Sequence, residues 1–233
     1  MSGPLALVGG DELRPGNEPQ DRVLVESALA HGGPAFVLAT AAAPYRPDLA
    51  VRNAVAWFGA LGLVVEELVV RSREDARAAA TAARASEGSF FYLVGGDPGL
   101  VLESLRDTPT WTAIVEAWRG GAALAGSSAG AMAMASSVLL PGARGRAAAD
   151  GLGLVPGVAV IPHLDTFGAT WEENGIAGLP EASLLVGIAE RTAATWRDGG
   201  WTVLGDGAVT LLDGTGRARR HEAGGPVPLP DPA

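Results

Sequence analysis

Apolar residues fall along this chain in two rhythms. Short runs bounded by Gly, Pro or charged residues predict buried strands at 5–8, 35–39, 63–70, 89–94 and 122–125. Between them lie stretches whose apolar residues recur every three or four positions, as Val51, Ala54, Val55 and Phe58 do. These predict helices over 22–30, 49–61, 73–83, 100–106 and 111–118, and a further helix starting just after Ser128. Past Gly151 the pattern becomes more β-like, with strands predicted at 155–161, 183–187, 201–204 and 208–212.

Strand-helix alternation of this kind implies an α/β fold: a doubly wound, mostly parallel sheet flanked by helices on both faces. Chemistry in such sheets collects at the carboxyl ends of the strands. The chain has 233 residues, 48% of them hydrophobic, enough to bury one sizeable core. No internal repeat or linker divides it, so residues 1–222 are expected to form a single domain. The remainder, 223–233, carries Pro226, Pro228, Pro230 and Pro232 and reads as a flexible tail.

Charge and composition narrow the function. The net charge is -9, which argues against binding a nucleic-acid backbone. All the basic residues are Arg, so a catalytic Lys is excluded. There is no Cys, which rules out disulfides, thiolate nucleophiles and Cys-ligated metals. The three histidines, His31, His163 and His221, match no metal-binding spacing, and no metal or cofactor is expected. Residues 120–143 are uncharged, but their Gly and Ser content reads as a buried strand, turn and helix rather than a membrane span. The N-terminus has no basic region ahead of its apolar residues, so the expected location is the cytoplasm. A homodimer is compatible with the sequence, which does not specify the oligomeric state.

The segment Gly126-Ser127-Ser128-Ala129-Gly130 fits G-x-S-x-G, and it lies between a predicted strand and a predicted helix of small residues. A sharp strand-to-helix turn exposes the serine Oγ, the glycines remove Cβ atoms that would clash, and the helix start offers N–H groups to a developing oxyanion. Ser128 is therefore the candidate nucleophile and the Ala129 N–H a candidate oxyanion donor. Ser127, at the x position, ranks below it.

A serine needs a general base, usually His. His163 follows the apolar run 158–161 at a strand mouth, where a catalytic group belongs. His31 reads as a helix end, and His221 lies in a charged, solvated stretch. Residue spacing leaves the acid open. The order Ser, acid, His fits Asp150 with His163, or Asp206 or Asp213 with His221. The second pairing would make the chain an esterase of α/β-hydrolase type. A non-catalytic ligand-binding relative is the third reading.

Four segments in order resemble the peptidase E (aspartyl dipeptidase) and cyanophycinase family of serine peptidases: 94–97, 126–131, 151–163 and 187–193. The resemblance implies a Rossmann-like sheet related to the class I glutamine-amidotransferase fold. It also implies cofactor-free hydrolysis of short peptides. It makes Ser128 the nucleophile, His163 the base and Glu190 the orienting acid, with Asp150 as the alternative, and it places an oxyanion donor at the Gly96 N–H. Two departures stand out. The family's Gly-Gly-Asn is Gly95-Gly96-Asp97 here. The Arg-bearing segment that reads the substrate carboxylate in aspartyl dipeptidases is replaced by 165–174, which contains no Arg. Specificity is therefore expected to differ from Asp-X dipeptidases, with Asp97, Glu172 and Glu173 as candidate substrate-binding groups.

Overall fold

The computed structural model describes residues 1–142, 145–166, 183–212 and 217–233, with side chains for all of these except 141, 142 and 145–147. The first half of the chain alternates as its patterning predicts. β1 (Leu5–Val8) leads to α1 (Glu18–His31), then β2 (Ala35–Leu38), α2 (Pro47–Ala60) and β3 (Glu66–Glu67). There follow α3 (Arg73–Arg77), α4 (Ala79–Ser86), β4 (Phe90–Leu93), α5 (Pro98–Leu105), α6 (Pro109–Arg119), β5 (Ala123–Ser127) and α7 (Ala129–Met134).

Among the described residues, the second half is mostly strand. It runs β6 (Ala135–Gly142), β7 (Gly145–Asp150), β8 (Val155–Ile161), β9 (Leu184–Ile188), β10 (Thr192–Arg197), β11 (Gly200–Gly205), β12 (Ala208–Leu212) and β13 (Ala218–Glu222).

These strands form two sheets. The first has the order β11-β10-β1-β5-β4-β2-β3. Its five members from the first half are parallel, and β10 adds antiparallel to β1. The second sheet has the order β13-β12-β9-β8-β6-β7, with β6, β8 and β9 mutually parallel. The α/β class expected from the alternation is present; the second sheet is an addition to it.

Strands β1, β2, β4 and β5 of the first sheet are buried on both faces, so alternate side chains feed two cores. Ala6, Val8, Val37, Phe90 and Tyr92 pack with Leu24, Val25, Ala54 and Phe58 from α1 and α2. Leu5, Leu7, Phe36, Phe91 and Leu93 face the other way, joining α5, α6 and α7 and the inner face of the second sheet through Val158, Val160, Val186 and Val209.

Several expectations are modified. The run 63–70 is extended and alternates buried with exposed, but only Glu66 and Glu67 pair with β2, at the sheet's edge. The Ala/Arg helix over 73–83 breaks at Ala78 (φ -65°, ψ 128°), which lets α3 pack on α5 while α4 packs on α6. Strands β6, β7, β10 and β13 are absent from the sequence reading. Their Ala, Ser and Arg residues carry little strand propensity, and tertiary pairing decides. The tail, expected to be flexible, is docked. Val227 and Leu229 are buried, Trp201 Nε1 donates to the Pro230 carbonyl at 2.9 Å, and the Ala233 N–H reaches the Leu154 carbonyl at 2.8 Å.

Candidate active site

The parallel strands of the first sheet point their carboxyl ends one way, and β8 and β9 of the second sheet end beside them. Ser128 stands where β5 meets α7, with φ 48° and ψ -109°. This is a sparsely populated conformation for a residue with a Cβ, held only because its surroundings fix it. Gly126 and Gly130 flank it at van der Waals closeness. A Cβ on Gly126 would lie 2.5 Å from the Gly130 carbonyl carbon, and one on Gly130 would lie 2.4 Å from the Leu93 carbonyl oxygen. The turn is as sharp as the G-x-S-x-G pattern predicts.

His163 follows β8 after Pro162 and also adopts a left-handed backbone, with φ 53°. Its Nε2 is 3.1 Å from Ser128 Oγ, and its Nδ1 is 2.8 Å from Glu190 Oε1. A carboxylate can only accept, so Nδ1 carries the proton and Nε2 is left to accept from the Ser128 hydroxyl. The imidazole and the Glu190 side chain are each 25% exposed, so the relay is partly shielded yet reachable. Glu190 follows β9, and its backbone N–H donates to Asp165 Oδ1 at 2.9 Å.

The turn after β1 holds the His163 backbone and the two residues that follow Glu190. The Gly9 carbonyl accepts the His163 N–H at 2.8 Å, the Gly10 carbonyl accepts the Arg191 N–H at 2.9 Å, and the Gly9 N–H donates to the Thr192 carbonyl at 2.9 Å. Sequence reading registers Gly9-Gly10 only as a strand end; its role as a clamp depends on contacts more than 150 positions away.

Two backbone N–H groups were expected to serve as oxyanion donors, those of Ala129 and Gly96. Ala129 is the first residue of α7, so its N–H has no partner within the helix. Gly96 is exposed at the end of β4, between Gly95, whose N–H goes to Glu12 Oε1 at 2.9 Å, and Asp97, whose N–H goes to the Ala41 carbonyl at 2.9 Å. The Asp97 carboxylate caps α5, accepting the Gly99 N–H at 2.8 Å, so its charge is spent on the helix start. Glu12 is missed by the sequence reading: an acid just after a glycine turn reads as solvated.

The other candidates lie elsewhere. Asp150 ends β7 at the edge of the second sheet, exposed, with its backbone carbonyl bonded to the Arg106 guanidinium. His31 is exposed at the end of α1, and His221 Nδ1 pairs with the Pro226 carbonyl at 2.9 Å. Asp206 gives its backbone N–H to the Arg191 carbonyl. Glu172, Glu173 and Asp213 lie outside the described residues. Among the described residues, no group of His, Asp and Glu is placed to hold a metal ion, and no helix is long and apolar enough to cross a membrane.

Known proteins resemble this chain in sequence and in structure. The profile of peptidase family S51 matches residues 26–204. A cyanophycinase of Trichormus variabilis is 34% identical over 168 residues, covering 68% of this chain and 56% of that protein. A cyanophycinase of Synechococcus elongatus is 32% identical over 164 residues, covering 64% of this chain and 49% of that one. The chain thus spans about half the length of the curated relatives it matches. The crystal structure of a peptidase from an acI-B1 Actinobacterium superposes with a TM-score of 0.88 at 31% identity, covering 98% of both chains.

Proposed function

The chain belongs to peptidase family S51, the family of peptidase E and the cyanophycinases, and on that premise we propose that it is a serine peptidase hydrolysing short peptides through an acyl-enzyme. The observation that carries this reading is the unbroken hydrogen-bonded chain from Ser128 Oγ through the His163 imidazole to the Glu190 carboxylate. Ser128 is the nucleophile, His163 the general base and Glu190 the acid that orients the ring and stabilises its charged form.

Each step follows from that geometry. Ser128 Oγ bonds to the scissile carbonyl carbon while its proton passes to His163 Nε2, and the carbonyl π electrons move onto oxygen. The Gly96 and Ala129 N–H groups receive that oxyanion; losing one such donor typically raises the barrier by about 3 kcal/mol. The C–N bond then breaks, and the leaving amine takes the proton from Nε2. Water attacks the acyl-enzyme with His163 again as base, releasing the acid and restoring the serine.

The substrate is a short peptide, cleaved in exopeptidase or dipeptidase fashion. Its specificity differs from that of Asp-X dipeptidases, because 165–174 supplies no Arg for a substrate carboxylate. An esterase reading built on His221 loses its support, since that imidazole is engaged by the tail at Pro226.

The test is covalent labelling with a fluorophosphonate, in which Ser128 Oγ bonds to phosphorus as fluoride leaves. We expect labelling of the native chain and of Ser127→Ala, and none of Ser128→Ala. Label retained in a folded Ser128→Ala protein overturns the assignment. A profile of cleavage over short free peptides then defines the specificity.

A further inference from the structure

We propose that Glu12 is a positioning residue that sets the oxyanion strand end and the nucleophile strand end against each other. The inference rests on the peptidase reading above. Glu12 reaches the site from the turn after β1, between two residues in left-handed backbone, Asp11 (φ 48°) and Leu13 (φ 61°). Its carboxylate has two arms. Oε1 accepts the Gly95 N–H at 2.9 Å, and Oε2 accepts the Ser127 hydroxyl at 2.9 Å.

The two donors are each one residue from a group that acts on substrate. Gly95 precedes Gly96, the oxyanion donor at the end of β4, and Ser127 precedes the nucleophile at the end of β5. The strand ends are close enough for this to matter: a Cβ on Gly95 would lie 3.1 Å from Glu12 Oε1 and 3.3 Å from Ser128 Cβ. Hydrogen bonds to an ionised carboxylate are shorter and stronger than neutral ones. Ser127 is fully buried, so the donor end of its bond is shielded from water. Because Glu12 spends the Gly95 N–H, it also fixes which amide of the Gly-Gly pair faces the substrate. The catalytic consequence follows from distance: displacing reacting groups by about 1 Å costs on the order of 100-fold in rate.

The experiment is fluorophosphonate inactivation of the full chain, with the maximal rate and the half-saturating concentration measured separately. In Glu12→Ala, which removes both arms, the maximal rate should fall roughly 10- to 100-fold while half-saturation moves less than about threefold. Glu12→Gln keeps an acceptor for Gly95 and should recover part of that loss. Ser127→Ala removes one arm without touching Glu12 and should slow labelling several-fold, which keeps the inference testable if Glu12→Ala does not fold. An unchanged maximal rate in folded Glu12→Ala or Ser127→Ala overturns the inference, as does Glu12→Gln no better than Glu12→Ala. Each of these leaves the peptidase reading intact. A native chain that takes no label, or a folded Ser128→Ala chain that keeps it, removes that reading, and this inference with it.

Discussion

The His163 imidazole lies flat against the backbone of Gly10. A Cβ built on that glycine would sit 2.1 Å from Cε1, 2.5 Å from Nε2 and 2.6 Å from Nδ1. The missing side chain is therefore part of the site: it provides the slot in which the ring bridges Ser128 and Glu190. Gly10 also has φ 122°, a conformation strained for any residue with a Cβ.

Gly10→Ala should accordingly push the ring off at least one of its two hydrogen bonds. We expect fluorophosphonate labelling to slow by about 100-fold or more, with a stability loss of about 1–3 kcal/mol from overpacking and strain. Parallel measurement of labelling rate and thermal unfolding checks this. Native-like labelling would mean that the ring position seen here is not the working one.

The choice of acid gives a second prediction. Glu190 contacts the imidazole, whereas Asp150 projects from the edge strand β7. Glu190→Gln replaces an acceptor-only group with one that can also donate, which lets the ring adopt the wrong tautomer. Activity should drop by roughly 100- to 10,000-fold. Asp150→Asn should stay within about twofold of the native rate, as expected for an exposed group outside the site. Peptidase kinetics on the two variants decide between them, and the reverse pattern would return the role to Asp150.

The parts of this site that are legible in the sequence are those whose cause is local. The bend at Ser128 is written in the small residues on either side of it, and His163 follows a short apolar run bounded by Gly and Pro that reads as a buried strand. Glu190 carries no local mark, since an acid at a strand end reads as solvated, and only its resemblance to a family segment singles it out. Glu12 is harder still: its partners lie 83 and 115 positions away in the chain. The same division holds for the fold. Strands buried on both faces announce themselves as apolar runs. By contrast, β10 is built on Thr192, Ala193, Ala194 and Thr195, whose types pull in opposite directions, Thr toward strand and Ala toward helix, and β1 and β11 decide by pairing with it. The tail's prolines hide the apolar anchors Val227 and Leu229 between them.

The glycines of the serine turn support a third prediction. Neither Gly126 nor Gly130 has a positive φ, so their replacement is opposed by space alone. The atoms in the way include backbone, which cannot rotate aside. Gly126→Ala and Gly130→Ala should each destabilise the fold by about 1–3 kcal/mol and, by shifting Ser128, slow labelling beyond what the loss of folded protein explains. Chemical denaturation gives the first quantity and labelling of the folded fraction the second. A variant that keeps both would show that β5 and α7 can separate without cost.

The last prediction concerns a group beneath the site. Asp21, on α1, is fully buried; its Oδ2 accepts the Trp57 Nε1–H at 2.7 Å, while Oδ1 has no partner. Burial pushes its pKa up from 3.8 to about 7, opposed by the Trp57 hydrogen bond and reinforced by the charges of Glu12 and Glu18. In the unfolded chain the proton leaves near the ordinary value. Between about pH 4 and pH 7, therefore, the folded state holds more protons than the unfolded one, and this group makes stability fall as pH rises. The cost is absent below pH 4, where both states are protonated, and complete above pH 7, where it is on the order of 4 kcal/mol. Asp21→Asn keeps an acceptor for Trp57 and cannot ionise. Relative to the native chain, the variant should gain stability as pH rises from 4 to 8, with most of the gain between 5 and 7. Urea denaturation of both proteins across that range measures the difference directly and cancels the contributions of all other carboxylates. A difference that does not vary with pH would mean that Asp21 is ionised at its ordinary pH, and that water or a rearranged partner reaches Oδ1.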